Sequence, residues 1–209
     1  IPFSRYAFNT LLITGIGTFG TVLLGSMAAF PIAKYKFPGS EFMSNLIVYA
    51  LMFSASVTAI PNYLIMSALH LIDSYWAVIL PAVGGTLGLY LMKNFMVQVP
   101  DAMIEAAKID GATEFQTYWK VVMPLCKPAW ITLIIFSFQQ MWGTTGGIFI
   151  YSEELKPLSY VLSQLVSGGI ARTGVASAVS LVMLVVPVGV FVVSQSNVIE
   201  TMSTSGIKG

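Results

Sequence analysis

The sequence predicts an all-α fold, a polytopic bundle of membrane helices interrupted by one polar insertion. Three observations predict it. The 209 residues are 56% hydrophobic and 9% charged, against about 25% charged in a soluble domain, and mean hydropathy is +0.81. Five apolar stretches reach or approach the roughly 20 residues that carry a helix across about 30 Å of hydrocarbon. Between the third and fourth stretches, seven charged side chains crowd into one short segment: Asp101, Glu105, Lys108, Asp110, Glu114, Lys120 and Lys127.

The stretches cover residues 7–33, 42–69, 75–92, 128–150 and 175–194. In the first, Gly17, Thr21, Gly25 and Ala29 recur every four residues, a small-residue stripe along which a second helix can approach closely. The third holds Pro81, Gly84, Gly85 and Gly88, which loosen it either for packing or for flexing as a path opens. "GIGTFG", Gly15 to Gly20, matches the dinucleotide fingerprint only formally. That motif needs a preceding strand and a βαβ unit, and here it lies inside an apolar helix. Polar Asn62, Gln139 and Gln140 are candidates to line a path, or to hydrogen-bond between helices.

Charge sets the expected orientation. With the chain starting outside, inner segments carry Lys34, Lys36, Lys93, Lys108, Lys120, Lys127 and Lys208, and outer ones only Arg5, Lys156 and Arg172. The excess follows the positive-inside tendency and places the polar insertion, residues 100–124, in the cytoplasm. Residues 142–172 form the longest external segment. The first residues, "IPFSRYAFNT", lack a Met and a basic stretch ahead of an apolar core, so a preceding segment is expected.

Net charge is +1, which gives no reason to expect nucleic acid. Cys126 has no second cysteine to pair with, His70 lies in a short polar break, and no Cys/His grouping suggests a metal. No catalytic grouping stands within the stretches. A stand-alone carrier or channel predicts ionisable residues near mid-membrane, and the five stretches have none near their centres.

At helical spacing the insertion becomes two short helices and a turn. Pro100 and Asp101 suit a first helical turn, and Ala106 and Ala107 are strong helix formers. Gly111 stands where a helix end wants positive φ, and Thr113 with Gln116 makes a capping box. Met103, Ala106, Ala107 and Asp110 share one side of the first helix; Phe115, Tyr118 and Trp119 give the second an aromatic side. Pro124 and Pro128 end the second helix.

"EAAKIDGATEFQTYWKVVMP" resembles the cytoplasmic EAA loop of inner-membrane permeases of bacterial ATP-binding-cassette importers. The family pattern is Glu-Ala-Ala, three residues, Gly, nine residues, then aliphatic-x-aliphatic-Pro; here it falls on Glu105, Ala106, Ala107, Gly111, Val121, Met123 and Pro124. "IDGA" and "SGIKG" make the whole chain similar to the carbohydrate branch, especially the second permease of the maltose-transporter kind.

The resemblance implies six spans in the full chain and a bacterial cytoplasmic (inner) membrane location. It implies a second permease subunit, two ATP-binding subunits that carry ATP and Mg, and an extracytoplasmic solute-binding protein as partners. Glu105, Ala106, Ala107, Asp110, Gly111, Thr113 and Phe115 become candidates for docking on the ATP-binding subunit, with the tail 205–209 a second contact. Glu153, Glu154 and Lys156 become candidates for contact with the binding protein. The sequence has no GxxxxGK[ST] phosphate loop, so an energy source on a partner is expected. The family often has Asn after the Trp that closes the fourth span, where this chain has Gly143. An amino acid or glycerol phosphate remains an alternative solute.

Overall fold

The computed structural model describes residues 2–168 and 173–205, and among these all regular structure is helical. The elements are α1 Phe3–Lys34, α2 Ser40–Leu51, α3 Ala55–Ala68, α4 Trp76–Val83, α5 Thr86–Val97, α6 Asp101–Ile109, α7 Glu114–Thr117, a π-helical turn Tyr118–Val122, α8 Met123–Leu125, α9 Lys127–Trp142, α10 Leu158–Ser167 and α11 Thr173–Ser205. Three helices, Phe3–Lys34, Trp76–Val97 and Thr173–Ser194, are long and apolar enough to cross a membrane; counting each of two bent pairs as one span brings the number to five.

Helix α1 is the axis of the bundle, with α4, α5, α9 and α10 packed around it. The small-residue stripe makes this possible. A Cβ on Gly25 would lie 3.6 Å from the Gly88 carbonyl carbon of α5, and one on Gly20 would lie 2.8 Å from Val83 Cγ2. Ala29 is fully buried on the same face. The stripe's one hydroxyl turns back on its own helix, Thr21 Oγ1 donating to the Gly17 carbonyl at 2.8 Å, whereas the buried hydroxyls of Thr14 and Thr18 beside it have no hydrogen-bond partner among the described residues. "GIGTFG" sits within α1, away from any strand among the described residues.

Four span boundaries differ from the sequence reading. The stretch 42–69 is two helices bent by 112° rather than one. No proline or glycine marks the break; Ser54 is extended (φ −75°, ψ 151°), the backbone of a helix N-cap, and α3 starts anew from it. The third span breaks at Gly84–Gly85, as its glycines suggest, but continues to Val97. The fourth ends at Trp142, capped by Gly143, and not at 150; beyond it Gly146 and Gly147 take positive φ (78° and 48°) and turn the chain. The fifth continues as helix to Ser205, where a tail is expected. Of the tail 205–209 only Ser205 is described, and residues 169–172 of the outer segment lie outside the described residues.

Candidate functional site

The polar insertion is a hairpin fused to one end of the bundle. Helix α6 closes in a Schellman arrangement: Gly111 N–H donates to Lys108 O and Ala112 N–H to Ala107 O, both at 3.0 Å, with Gly111 at φ +79°. Helix α7 then opens with the expected capping box, Thr113 Oγ1 accepting from Gln116 N–H at 3.3 Å and Gln116 Oε1 from Thr113 N–H at 2.9 Å. From Tyr118 the chain widens into a π-helical turn and bends by 81° into α9. Pro124 therefore lies within the second helix, and Cys126 marks the bend.

The end of α1 holds this hairpin. The Lys34 ammonium, on a side chain only 4% exposed, meets Asp101 Oδ1 at 2.8 Å and donates to the carbonyls of Val97, at the end of α5, and Val99, just past it. Tyr35 donates its hydroxyl to Glu114, and Lys108 stands 4.8 Å from the Tyr35 ring centroid and 2.9 Å from Glu114. Deeper in, Ser26 and Tyr118 hydroxyls meet at 2.7 Å. Below them, Phe30, Met92, Met96, Ile104, Tyr118 and Val122 form a continuous core from both sides of the joint. The Tyr35 hydroxyl, then Lys108, hold Glu114 below the ordinary carboxylate range. Glu114, then Tyr35, hold Lys108 above the ordinary lysine range. The Glu114 contribution is lost only as pH falls through its lowered pKa, and the Lys108 contribution only as pH rises through its raised one, so the clamp is whole across neutral pH.

The other side of the hairpin faces away. Glu105, Ala106, Asp110, Gly111, Thr113 and Phe115 are exposed, whereas Ala107 is half-buried with Ile104 beneath it. Ile109 is 86% exposed and Phe115 64%. The tip is thus small and partly apolar, and it stands on a braced base. Sequence reasoning put Ala107 in the outward group and passed over Ile109, whose aliphatic side chain read as an ordinary helix residue. It also passed over Lys34 and Tyr35, which lie 67 and 79 positions from their partners.

At the opposite end of α1, residues 143–157 form a pinned loop. Asp73, at φ +61°, donates its N–H to Phe149 O at 2.8 Å and accepts from Tyr151 N–H and Ser152 N–H, each at 2.8 Å, as well as from the Ser152 hydroxyl. Glu153 and Glu154 are exposed, with Tyr6 donating to Glu153 Oε1 at 2.6 Å. Lys156 is a correction: it is 8% exposed, its ammonium bonded to the Ile150 carbonyl and 4.5 Å from the Tyr160 ring centroid, so the loop's own backbone takes up the charge expected to face a partner. The segment 142–172 also contains helix α10, which packs on α1 and α11.

Hydrogen bonds from Ser152 lower the Asp73 pKa. A lowered folded-state value means that the staple is fully present above the ordinary carboxylate range and is lost as pH falls through the folded value. Acidification is expected to lower the protection factors of the Tyr151 and Ser152 amides, their exchange rates being taken relative to the unprotected amide at each pH, in the wild type. Asp73→Asn should show lower protection at neutral pH and a protection factor that stays flat with pH; a wild-type protection profile that is also flat would remove Asp73 as the pin.

The path candidates separate. Asn62 is half-buried on α3. Gln140 borders a crevice with Thr21, Gly88 and Ser137, whereas Gln139 opens toward Met183 and Pro187 of α11, so among the described residues the two glutamines border different cavities. Gly143 closes α9 at φ −81°, a conformation open to any residue, so the glycine there is not required by the backbone.

Comparison with known proteins decides the family. Residues 21–201 match the model of the binding-protein-dependent transport system inner membrane component. The chain belongs to that family. Protein LplC of Bacillus subtilis (strain 168) is 32% identical to this inner membrane component over 173 residues, 77% of the chain and 58% of LplC. The polygalacturonan/rhamnogalacturonan transport system permease protein YtcP of the same strain is 32% identical over 174 residues, 78% of the chain and 60% of YtcP. The matched part thus amounts to about three fifths of each relative. A bacterial ABC transporter involved in the import of the acidic polysaccharide alginate superposes with a TM-score of 0.73 at 25% identity, over 99% of this chain and 75% of that one.

Proposed function

We propose that this chain is one of two permease subunits of a binding-protein-dependent importer of carbohydrates in the bacterial cytoplasmic membrane. The hairpin carries the reading: an exposed tip of Glu105, Ala106, Ile109, Gly111 and Phe115 on a base tied to α1 by Lys34, Tyr35 and Ser26. A surface so anchored cannot move without moving the bundle. Two partner subunits hydrolyse ATP, with the nucleotide and Mg bound there, and their closure displaces the hairpin and rocks the helices between inward- and outward-open arrangements. The pinned loop at the other end faces the solute-binding protein through Glu153 and Glu154. The names of YtcP and of the alginate transporter support a carbohydrate cargo.

The test is uptake by proteoliposomes holding the full chain, a second permease and the ATP-binding subunits. Supplied with a binding protein loaded with alginate or polygalacturonan fragments, they are expected to accumulate oligosaccharide only with ATP inside the compartment that the hairpin faces. Uptake by this chain alone, without the ATP-binding subunits, would overturn the proposal in favour of an independent carrier.

A further inference from the structure

Helix α1 is 32 residues long, about 48 Å at 1.5 Å per residue, and it is fastened at both ends by polar contacts. The hairpin end carries Ser26, Lys34 and Tyr35. The far end carries Tyr6, Asn9 and Thr10. Asn9 is 0% exposed, and its carboxamide is fully committed: Nδ2 donates to the Glu154 carbonyl at 2.8 Å and the Lys156 carbonyl at 2.9 Å, and Oδ1 accepts from the Tyr75 hydroxyl at 2.8 Å. Thr10 Oγ1 donates to Tyr6 O at 3.0 Å and accepts from Leu158 N–H at 2.7 Å. Every loop atom in this set lies between Glu153 and Leu158.

Apolar packing slides, whereas a buried carboxamide bonded to two carbonyls of one loop fixes both position and register, because breaking either bond strands a polar group in the core. The loop therefore cannot shift without carrying α1, and α1 cannot shift without carrying the hairpin. We propose that α1 is the element that reports engagement of the far loop to the coupling hairpin, with Asn9 and Thr10 as positioning residues that make the loop part of that rod. The proposal rests on the importer reading above and adds a route and named residues to it.

The experiment uses the complete complex in lipid, with Cys126→Ala and a fluorophore on Lys120→Cys, exposed on the π-helical turn of the hairpin outside its tip. A binding protein loaded with alginate or polygalacturonan fragments is added, and both ATP hydrolysis and the fluorophore signal are read. The parent complex is expected to show stimulated hydrolysis and a shifted signal. Asn9→Leu and Thr10→Val are each expected to lower the stimulation by about fivefold or more, the scale of an allosteric coupling, to abolish the signal shift, and to leave unstimulated hydrolysis unchanged. A purely structural role would lower all three together and would overturn the proposal. So would a shift and a stimulation that survive in both variants. If Asn9→Leu fails to assemble, Thr10→Val decides, since it is nearly isosteric and, of the ties that hold the loop to α1, removes only the bond from Leu158 N–H. A parent complex that the loaded binding protein does not stimulate would overturn the importer reading and this inference with it.

Discussion

Gly111→Val is expected to lower ATP-dependent uptake by roughly tenfold while the chain still inserts and assembles. Gly111 sits at φ +79°, and a Cβ there would meet nothing within 4 Å, so the penalty is one of backbone conformation alone. For a residue with a Cβ the left-handed region costs about 1–2 kcal/mol, and about 1.4 kcal/mol is a tenfold change in an equilibrium. That cost falls on the bent hairpin and not on the bundle. The Schellman bonds to Lys108 and Ala107 loosen, and α6 and α7 lose their fixed angle. Thermal stability of the bundle should change little, because the exposed tip lies outside the core. Gly111→Asn, which tolerates positive φ better, is expected to retain most of the uptake. Equal loss in the valine and asparagine variants would show that the conformation is not what matters there.

The second large effect is on stability. Gly25→Leu is expected to destabilise the bundle by about 1–3 kcal/mol, the usual range for overpacking. The Cβ alone would already touch the Gly88 carbonyl carbon at 3.6 Å and Leu89 N at 3.7 Å, and atoms beyond it run into backbone, which cannot rotate away. Gly25→Ala places only that Cβ, at ordinary contact distance, and is expected to be nearly silent. Unfolding in detergent, followed by tryptophan fluorescence, separates the two. Leu and Ala variants of equal stability would mean that α1 and α5 are not closely packed at this point.

Much of the hairpin was legible in the sequence because its chemistry is local. Gly111, Thr113 and Gln116 each answer to a partner a few residues away, and each does in the structure what its type suggests. The span through residues 42–69 was less legible: its break at Ser54 has no glycine or proline to announce it. The end of the fourth span did carry a signal, the Gly146–Gly147 pair, which hydropathy alone overrides. Least legible was the bracing. Asn9 meets Glu154 and Lys156 across 145 and 147 positions, and Tyr118 meets Ser26 across 92. No periodicity encodes such pairings, although a buried-polar reading of the first span points to Asn9 and Ser26 as residues that need partners.

The central claim, that the hairpin seats on a separate ATP-binding subunit, is tested most directly by cross-linking. In a Cys126→Ala background, Ala106→Cys and Ile109→Cys are joined by a short thiol reagent to single cysteines on the ATP-binding subunit, with exposed Phe8→Cys at the other end of α1 as control. The account predicts cross-links from both hairpin positions, altered by ATP, and none from position 8. Hairpin cysteines that fail to reach the ATP-binding subunit, and that react in intact cells with a membrane-impermeant thiol reagent, would contradict it.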